Sequence, residues 1–279
     1  DAFECALYNN VLPGLSADGV HYFYENPLIS DGSVERWSWH GCPCCPPMFL
    51  KLMGCLQDYI YSYEEDRLIV NLHIGSKAFL TVKGVNVTVE QQNCGLPYRG
   101  ENRIVLCPER ETTFTLAIRR PAWASAFRAV YRGRVYEQCD EKGYLLITDC
   151  FRKEDVIEIS MDLPAMKVEA HPYVGADAGK VALMRGPLLY CLEEVDNPGG
   201  VDGVLDNGSL KEDLRDICGE TVCLTGGCAN GSDFTAVPYY LWNNRGKGKM
   251  NVWAKQEGKV DTQIDLSGWE GRLYRKYEA

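Results

Sequence analysis

The chain has 279 residues, of which 46% are hydrophobic, and this length predicts about two domains with a substantial core. Its 39 acidic and 29 basic residues give a net charge of −10 with no basic run to offset it, which argues against nucleic acid or an anionic membrane as a partner. No run of about 18 apolar residues occurs, so the sequence predicts no transmembrane helix.

The N-terminal residues predict an amphipathic helix. Apolar side chains recur there at helical spacing, at Ala2, Phe3, Ala6, Leu7 and Tyr8. The chain opens inside this helix with no initiator methionine and no signal peptide. We therefore expect it to be the C-terminal part of a longer protein. After Gly-rich breaks, the aromatic run at residues 21–24 predicts a short strand that ends at Pro27.

The most informative segment is a cysteine cluster followed by two prolines. Cys42, Cys44 and Cys45 occupy three of four consecutive positions, and Pro46 and Pro47 fit the first turn of a helix. A thiol at the positive end of a helix is stabilised as thiolate. Three interpretations are open: a zinc site, a vicinal disulfide, or buried unreactive cysteines. The helix itself carries an apolar stripe made by Met48, Phe49, Leu52, Met53, Leu56 and Tyr59.

From about residue 60 the pattern changes to short strands separated by turns, which favours antiparallel sandwiches. A domain boundary is predicted near Leu163 and Pro164, and residues 196–236 predict a long irregular excursion because they are rich in Gly, Asp and Asn. The chain has 13 cysteines, an odd number, and most of those outside the cluster lie in strand-like runs. This usage is typical of a reduced, cytoplasmic protein rather than of a secreted disulfide framework.

Several motifs together resemble glycoside hydrolase family 127, whose characterised members are bacterial β-L-arabinofuranosidases. These motifs span nearly the whole chain, and the most specific are the cysteine loop and the Arg-Gly-Pro strand. They lie at residues 4–9, 21–27, 41–47, 118–123, 176–187 and 238–242.

The resemblance implies a mainly β fold in which two β-sandwich domains follow the terminal helices of an (α/α)6 barrel. On that template residues 1–59 form the end of the catalytic barrel, 60–164 the first sandwich and 165–279 the second. The rest of the barrel would lie upstream of this chain.

The resemblance also implies a retaining glycosidase with a cysteine nucleophile on zinc. Cys44 matches the nucleophile and a zinc ligand, and Cys45 matches a second ligand. Glu4 and Tyr24 match residues that bind the sugar, and the substrate would be an oligosaccharide or glycoside. The remaining zinc ligands and the acid/base glutamate would lie upstream, so this part alone is expected to be inactive.

A second class of function remains open from the sequence. Two β-sandwiches are also compatible with a non-catalytic scaffold or a carbohydrate-binding module, since a fold does not determine a function. A homodimer is a further candidate assembly. Bound zinc and the titration of the thiols distinguish the enzyme from the scaffold.

Overall fold

Strands form most of the regular structure in this protein. The computed structural model describes residues 1–42, 44–259 and 266–278, and within them it has 21 strands and three α-helices beside short π- and 3-10 helices. The predicted mainly β fold is therefore confirmed. No helix in these ranges is long and apolar enough to cross a membrane.

The chain separates into two compact units. The first unit contains Asp1 and Pro46–Pro164, and the second contains Ala2–Cys45 and Ala165–Ala279. Each unit has its own core of buried apolar side chains. The predicted domain limits after residues 59 and 164 and the assignment of the N-terminal helices to a barrel stay predictions.

The N-terminal segment of the second unit begins with helical turns. Helix α1 spans Ala2–Ala6 and continues into a π-helix at Leu7–Val11 and a 3-10 turn at Leu12–Gly14, which confirms a helix at the predicted place. The aromatic run at 21–24 forms no strand ladder. Only Tyr22 makes isolated antiparallel bridges, so the predicted strand is reduced to one paired residue. Strand β1 (Ile29–Asp31) follows.

Two helices and ten strands follow in chain order. The helices are α2 (Cys45–Cys55) and α3 (Gln57–Ile60). The strands are β2 (Tyr61–Tyr63), β3 (Arg67–Val70), β4 (Ser76–Val82), β5 (Val85–Gln92), β6 (Glu101–Pro108), β7 (Thr112–Arg119), β8 (Phe127–Tyr131), β9 (Arg134–Tyr136), β10 (Tyr144–Phe151) and β11 (Asp155–Met161).

These strands form two sheets that share a core. One sheet has the order β10-β7-β3-β2 and the other the order β4-β5-β6-β11-β8-β9, and all neighbours are antiparallel except β3 and β7. Apolar residues alternate along the strands, so one face of each sheet is buried. Leu68 and Leu116 of the first sheet and Val87, Ile104 and Ile157 of the second belong to one buried cluster. That the sheets form a sandwich stays a prediction.

The apolar stripe predicted for α2 is only partly buried. Pro46 and Pro47 lie in the first turn, as predicted, but none of the residues of α2 is buried in the described chain. Met48 is 61% exposed. Local sequence therefore determined where this helix begins, while Phe49, Leu52 and Met53 on its apolar face are half-buried by the described residues.

His73 forms a buried polar network in the first unit. Its Nε2 donates to the carbonyl of Arg119 at 2.9 Å, and its Nδ1 accepts from Asn102 Nδ2 at 3.0 Å. Asn102 also donates to Gln91 at 2.6 Å. Burial lowers the pKa of His73 to about 4. The neutral imidazole satisfies this network, whereas a proton on Nδ1 would face another donor.

We expect acidification to destabilise the chain through His73. Its folded pKa of about 4 lies below the value of about 6.5 expected in the unfolded chain, so between these values the unfolded state binds the extra proton. The contribution to stability is therefore complete above about pH 6.5 and declines toward pH 4, with about 2 kcal/mol lost at pH 5. Urea unfolding should show that His73→Asn, although less stable at neutral pH, loses about 2 kcal/mol less on acidification. His21→Asn, which removes a partly exposed histidine, should keep the pH dependence of stability seen in the parent. The same pH dependence in His73→Asn as in the parent would contradict the role of His73.

The strands of the second unit after residue 164 build a larger sheet. They are β12 (Ala165–Ala170), β13 (Lys180–Arg185), β14 (Leu188–Glu193), β15 (Val204–Leu205), β16 (Lys211–Asp216), β17 (Glu220–Gly227), β18 (Asp233–Pro238), β19 (Lys249–Asn251), β20 (Ala254–Gln256) and β21 (Tyr274–Lys276). The main path is β15-β20-β13-β14-β18-β17-β16, and β1 joins it by pairing with β19. Two 3-10 turns at Gly175–Asp177 and Tyr239–Leu241 complete the unit.

The prediction of an irregular excursion at residues 196–236 was wrong. This range contains β16 and β17 and most of β18, which pair in register as antiparallel neighbours. Strand β16 lies at the end of the sheet and has the sequence Lys-Glu-Asp-Leu-Arg-Asp, so it lacks the apolar alternation that identifies a strand. Its ladder with β17 stabilises it.

Candidate active site

The thiol loop, defined here by residues 40–42, 44 and 45, brings two predicted residues into contact. Cys44 Sγ and Cys45 Sγ lie 3.7 Å apart, and both side chains are exposed. Cys45 is the first residue of α2, so Cys44 immediately precedes a helix of 11 residues. The backbone N–H groups and the dipole at this helix end favour negative charge on a thiol.

The surroundings favour the thiolate on Cys44 rather than on Cys45. A hydrogen bond from the Cys45 thiol lowers the pKa of Cys44. Hydrogen bonds from Tyr24 and Cys42 lower it further, and together these bonds outweigh the partial desolvation that raises it. Desolvation and the same hydrogen bond raise the pKa of Cys45. Cys44 is therefore the more readily deprotonated of the two thiols, and the thiolate is the nucleophilic form of a cysteine.

Tyr24 contacts this thiol loop directly. Its hydroxyl oxygen accepts a hydrogen bond from the backbone N–H of Cys44 at 3.1 Å. Desolvation, and then its hydrogen bond to Cys44, raise the pKa of Tyr24. The phenol therefore remains protonated at neutral pH and has a proton to donate toward the Cys44 sulfur.

Four rings form a cluster next to Cys44, and we call them the aromatic cluster: Tyr22, Tyr24, Trp37 and His40. Tyr24 lies 5.3 Å from Trp37 and 4.7 Å from His40 between ring centroids, and Trp37 stacks on His40 at 4.3 Å. Tyr22, two residues before Tyr24, completes the cluster at 5.9 Å from it. Trp37 is 42% exposed and Trp39 is 73% exposed, so both present apolar surface to solvent. Aromatic faces of this kind pack against the apolar faces of sugars.

A buried arginine anchors the segment that carries the aromatic cluster. Arg36 donates to the carbonyls of Pro13 at 2.7 Å and Trp242 at 3.1 Å, and its guanidinium lies 4.2 Å from the ring of Phe23. Phe23 in turn stacks on Trp242 at 4.9 Å. Burial lowers the pKa of Arg36 to about 10, so it remains charged at neutral pH. Sequence reasoning missed Arg36, because nothing in its local sequence indicates which carbonyls it reaches.

Glu4 lies on a separate element from the thiols. It is 3% exposed on α1, at the start of the helical segment. The following π-helix is fastened to β14, because Asn9 donates to the Pro187 carbonyl at 2.8 Å and accepts from the Leu189 N–H at 2.7 Å. Its predicted sugar-binding role stays a prediction.

The two thiols fit half of a tetrahedral zinc site. A zinc–sulfur distance of about 2.3 Å places two thiolates on one tetrahedral zinc about 3.8 Å apart. The observed separation of Cys44 and Cys45 is 3.7 Å. Within the part of the chain that the structure describes, no group of three or more His, Cys, Asp or Glu side chains is arranged to hold a metal. Cys44 and Cys45 could therefore supply two ligands, and among the described residues Glu4 does not join them in such a group.

Models of a single family match consecutive stretches of the chain. The model described as "Beta-L-arabinofuranosidase, GH127 catalytic domain" matches residues 1–58 and the "Beta-L-arabinofuranosidase, GH127 middle domain" matches residues 67–163. The "Glycoside hydrolase family 127 C-terminal domain" matches residues 165–255. Together these matches cover most of the chain.

Characterised relatives extend beyond the length of this chain. The non-reducing end β-L-arabinofuranosidase of Bifidobacterium longum subsp. longum is 28% identical over an alignment of 302 residues, gaps included. The alignment covers 92% of this chain and 45% of that protein. The crystal structure of a GH127 β-L-arabinofuranosidase from Geobacillus stearothermophilus T6 matches with a TM-score of 0.83 and 32% identity, covering 91% of this chain and 45% of its own. A structure described as a GH127 β-arabinofuranosidase gives a TM-score of 0.84 and 31% identity with the same coverage. The chain therefore spans 45% of the length of these relatives.

Proposed function

Because this chain belongs to glycoside hydrolase family 127, we propose that it is part of a retaining glycoside hydrolase that acts on β-L-arabinofuranosides. The observation that carries the proposal is the thiol pair, in which the Cys45 thiol and Tyr24 favour the thiolate of Cys44. A positioned thiolate is a strong nucleophile at neutral pH. A non-catalytic sandwich has no need of such a group.

In the proposed first step the Cys44 thiolate attacks the anomeric carbon of the arabinofuranoside. The carbon–sulfur bond forms as the glycosidic carbon–oxygen bond breaks, and the leaving oxygen takes a proton from a general acid that we assign to no residue of this chain. In the second step water attacks the same carbon, loses a proton to the conjugate base, and releases the thiolate. Two inversions leave the anomeric configuration unchanged.

In this scheme the other residues of the site bind the sugar or zinc and orient the nucleophile. The Tyr24 hydroxyl accepts a hydrogen bond from the Cys44 backbone N–H. We assign Tyr24 to the lining of the sugar pocket and Glu4 to the binding of sugar hydroxyls. Cys44 and Cys45 would hold zinc as two of its ligands, and zinc would keep both coordinated thiols deprotonated. The S–S separation supports this role. A homodimer and a cytoplasmic location stay predictions from the sequence.

A hydrolysis assay with metal analysis tests this function. We expect the full-length protein that contains this chain to release pentose from a chromogenic β-L-arabinofuranoside with retention of configuration, and to leave the matched α-L-arabinofuranoside intact. It should contain about one zinc per chain, and a chelator should remove both zinc and activity until zinc is restored. A protein that releases no pentose and contains no zinc would favour the scaffold.

A further inference from the structure

His40 lies where the aromatic cluster meets the thiol loop. Its imidazole is stacked on Trp37 with ring centroids 4.3 Å apart and an interplanar angle of 18°. On another side it contacts the Tyr24 ring at 4.7 Å. An imidazole held by two aromatic neighbours has few rotamers, so the direction of its nitrogen atoms is set before the loop contacts them.

The Nδ1 atom of His40 contacts the backbone of Cys42. It lies 3.2 Å from the Cys42 N–H, which donates to it, and 3.3 Å from the Cys42 carbonyl. At this nitrogen an imidazole either accepts from the N–H or donates to the carbonyl. Either bond fastens Cys42 to a ring that is already fixed.

Cys42 passes this constraint to Cys44. The Cys44 N–H points at two acceptors, the Cys42 carbonyl at 2.9 Å and the Tyr24 hydroxyl at 3.1 Å. His40 and Tyr24 are in ring contact, so the contacts from His40 through Cys42 and Cys44 to Tyr24 form a closed circuit. The position of Cys42 therefore decides whether Cys44 reaches Tyr24.

The base of this circuit is rigid. Trp37 exchanges two backbone hydrogen bonds with Tyr22, at 2.8 and 3.0 Å, and the adjacent Arg36 is buried. Gly41 and Cys42, by contrast, are exposed and belong to no helix or strand. His40 is thus the side chain through which a fixed aromatic base holds an otherwise weakly constrained loop.

We propose that His40 is a positioning residue that aligns Cys44 with the Tyr24 hydroxyl by holding the backbone of Cys42. The proposal rests on the proposed function in that Cys44 is the nucleophile. The link depends on a polar atom at the Nδ1 position of His40, and the aromatic stack alone does not supply it.

Two substitutions separate the polar atom from the ring. His40→Asn keeps a side-chain amide near the Nδ1 position, which can bond either backbone group of Cys42, but removes the stacking ring. His40→Phe keeps the ring and removes the polar atom. His21→Phe serves as the matched control at a histidine outside the circuit. Urea unfolding checks that each variant is folded.

The first readout is alkylation of Cys44 by iodoacetamide at neutral pH, measured by peptide mass spectrometry relative to the exposed Cys218. We expect His40→Phe to slow alkylation of Cys44 about five- to tenfold, and His40→Asn and His21→Phe to remain within about threefold of the parent. Equal rates in His40→Phe and the parent would overturn the proposal. So would a loss in His40→Asn as large as in His40→Phe.

The second readout is the split between kcat and KM with the chromogenic arabinofuranoside. His40→Phe should lower kcat about tenfold and change KM by less than about twofold, since alignment of the nucleophile acts in the transition state. A rise in KM alone would assign His40 to substrate binding and overturn the positioning role. A full-length protein without glycosidase activity would refute the proposed function, while the alkylation series would still decide whether His40 positions Cys44.

Discussion

Replacement of Cys44 by serine is expected to lower hydrolysis of the chromogenic arabinofuranoside by at least about 10³-fold. The serine hydroxyl remains protonated at neutral pH, so the hydrogen bonds that favour the Cys44 thiolate have no anion to stabilise. Serine is also a poor zinc ligand compared with a thiolate. The parent enzyme should additionally form a pentosyl adduct on the peptide that contains Cys44, detected by mass spectrometry after rapid quenching.

A matched change at another exposed thiol controls for this experiment. Cys218 is exposed and outside the thiol loop, so Cys218→Ser should retain full turnover and zinc content. If Cys44→Ser kept turnover within about tenfold of the parent, or if the adduct appeared on another peptide, the nucleophile assignment would be wrong.

Replacement of Trp242 by alanine should have the largest effect on stability. Trp242 is 0% exposed, and its indole stacks on Phe23 at 4.9 Å and lies parallel to Tyr239 at 6.4 Å. Removing a fully buried indole loses its transfer free energy and leaves a cavity, which together cost about 3–5 kcal/mol. Urea unfolding followed by circular dichroism measures this loss.

Trp39 offers the control for the same substitution. It is 73% exposed, so Trp39→Ala should change the free energy of unfolding by no more than about 0.5 kcal/mol. The comparison also tests whether the stack of Phe23 on Trp242 supports the candidate site, because Phe23 is the neighbour of Tyr24 in the chain. Similar unfolding free energies for Trp242→Ala and Trp39→Ala would refute the role of Trp242 in the core of the second unit.

Local sequence patterns correctly predicted helices and strands whose position depends on residues close together in the chain. The prolines at 46 and 47 indicated the start of α2, and alternation along residues 155–161 predicted β11, as the structure has them. Where stability comes from a partner strand, local patterns failed. The charged strand β16 has little apolar alternation and depends on its ladder with β17, so it was predicted as irregular.

The candidate site divides in the same way. Family resemblance identified Cys44, Cys45 and Tyr24, and the structure brings these three into contact. It could not indicate that Arg36 anchors the aromatic segment through the carbonyls of Pro13 and Trp242, since these partners are 23 and 206 residues away. A contact over such a separation leaves no trace in the spacing of residues.

The sequence by itself determined that the chain is mainly β and that it belongs to a glycoside hydrolase family, and it identified a cysteine cluster as the candidate site. Residue types and short spacings carry that information, because a strand's alternation and a helix start are local properties. Only the tertiary structure indicated which thiol of the pair is the more readily deprotonated. That choice depends on the Cys45 thiol 3.7 Å from Cys44 and on a tyrosine hydroxyl 20 residues away, and hydrogen-bond stabilisation acts only at contact distance.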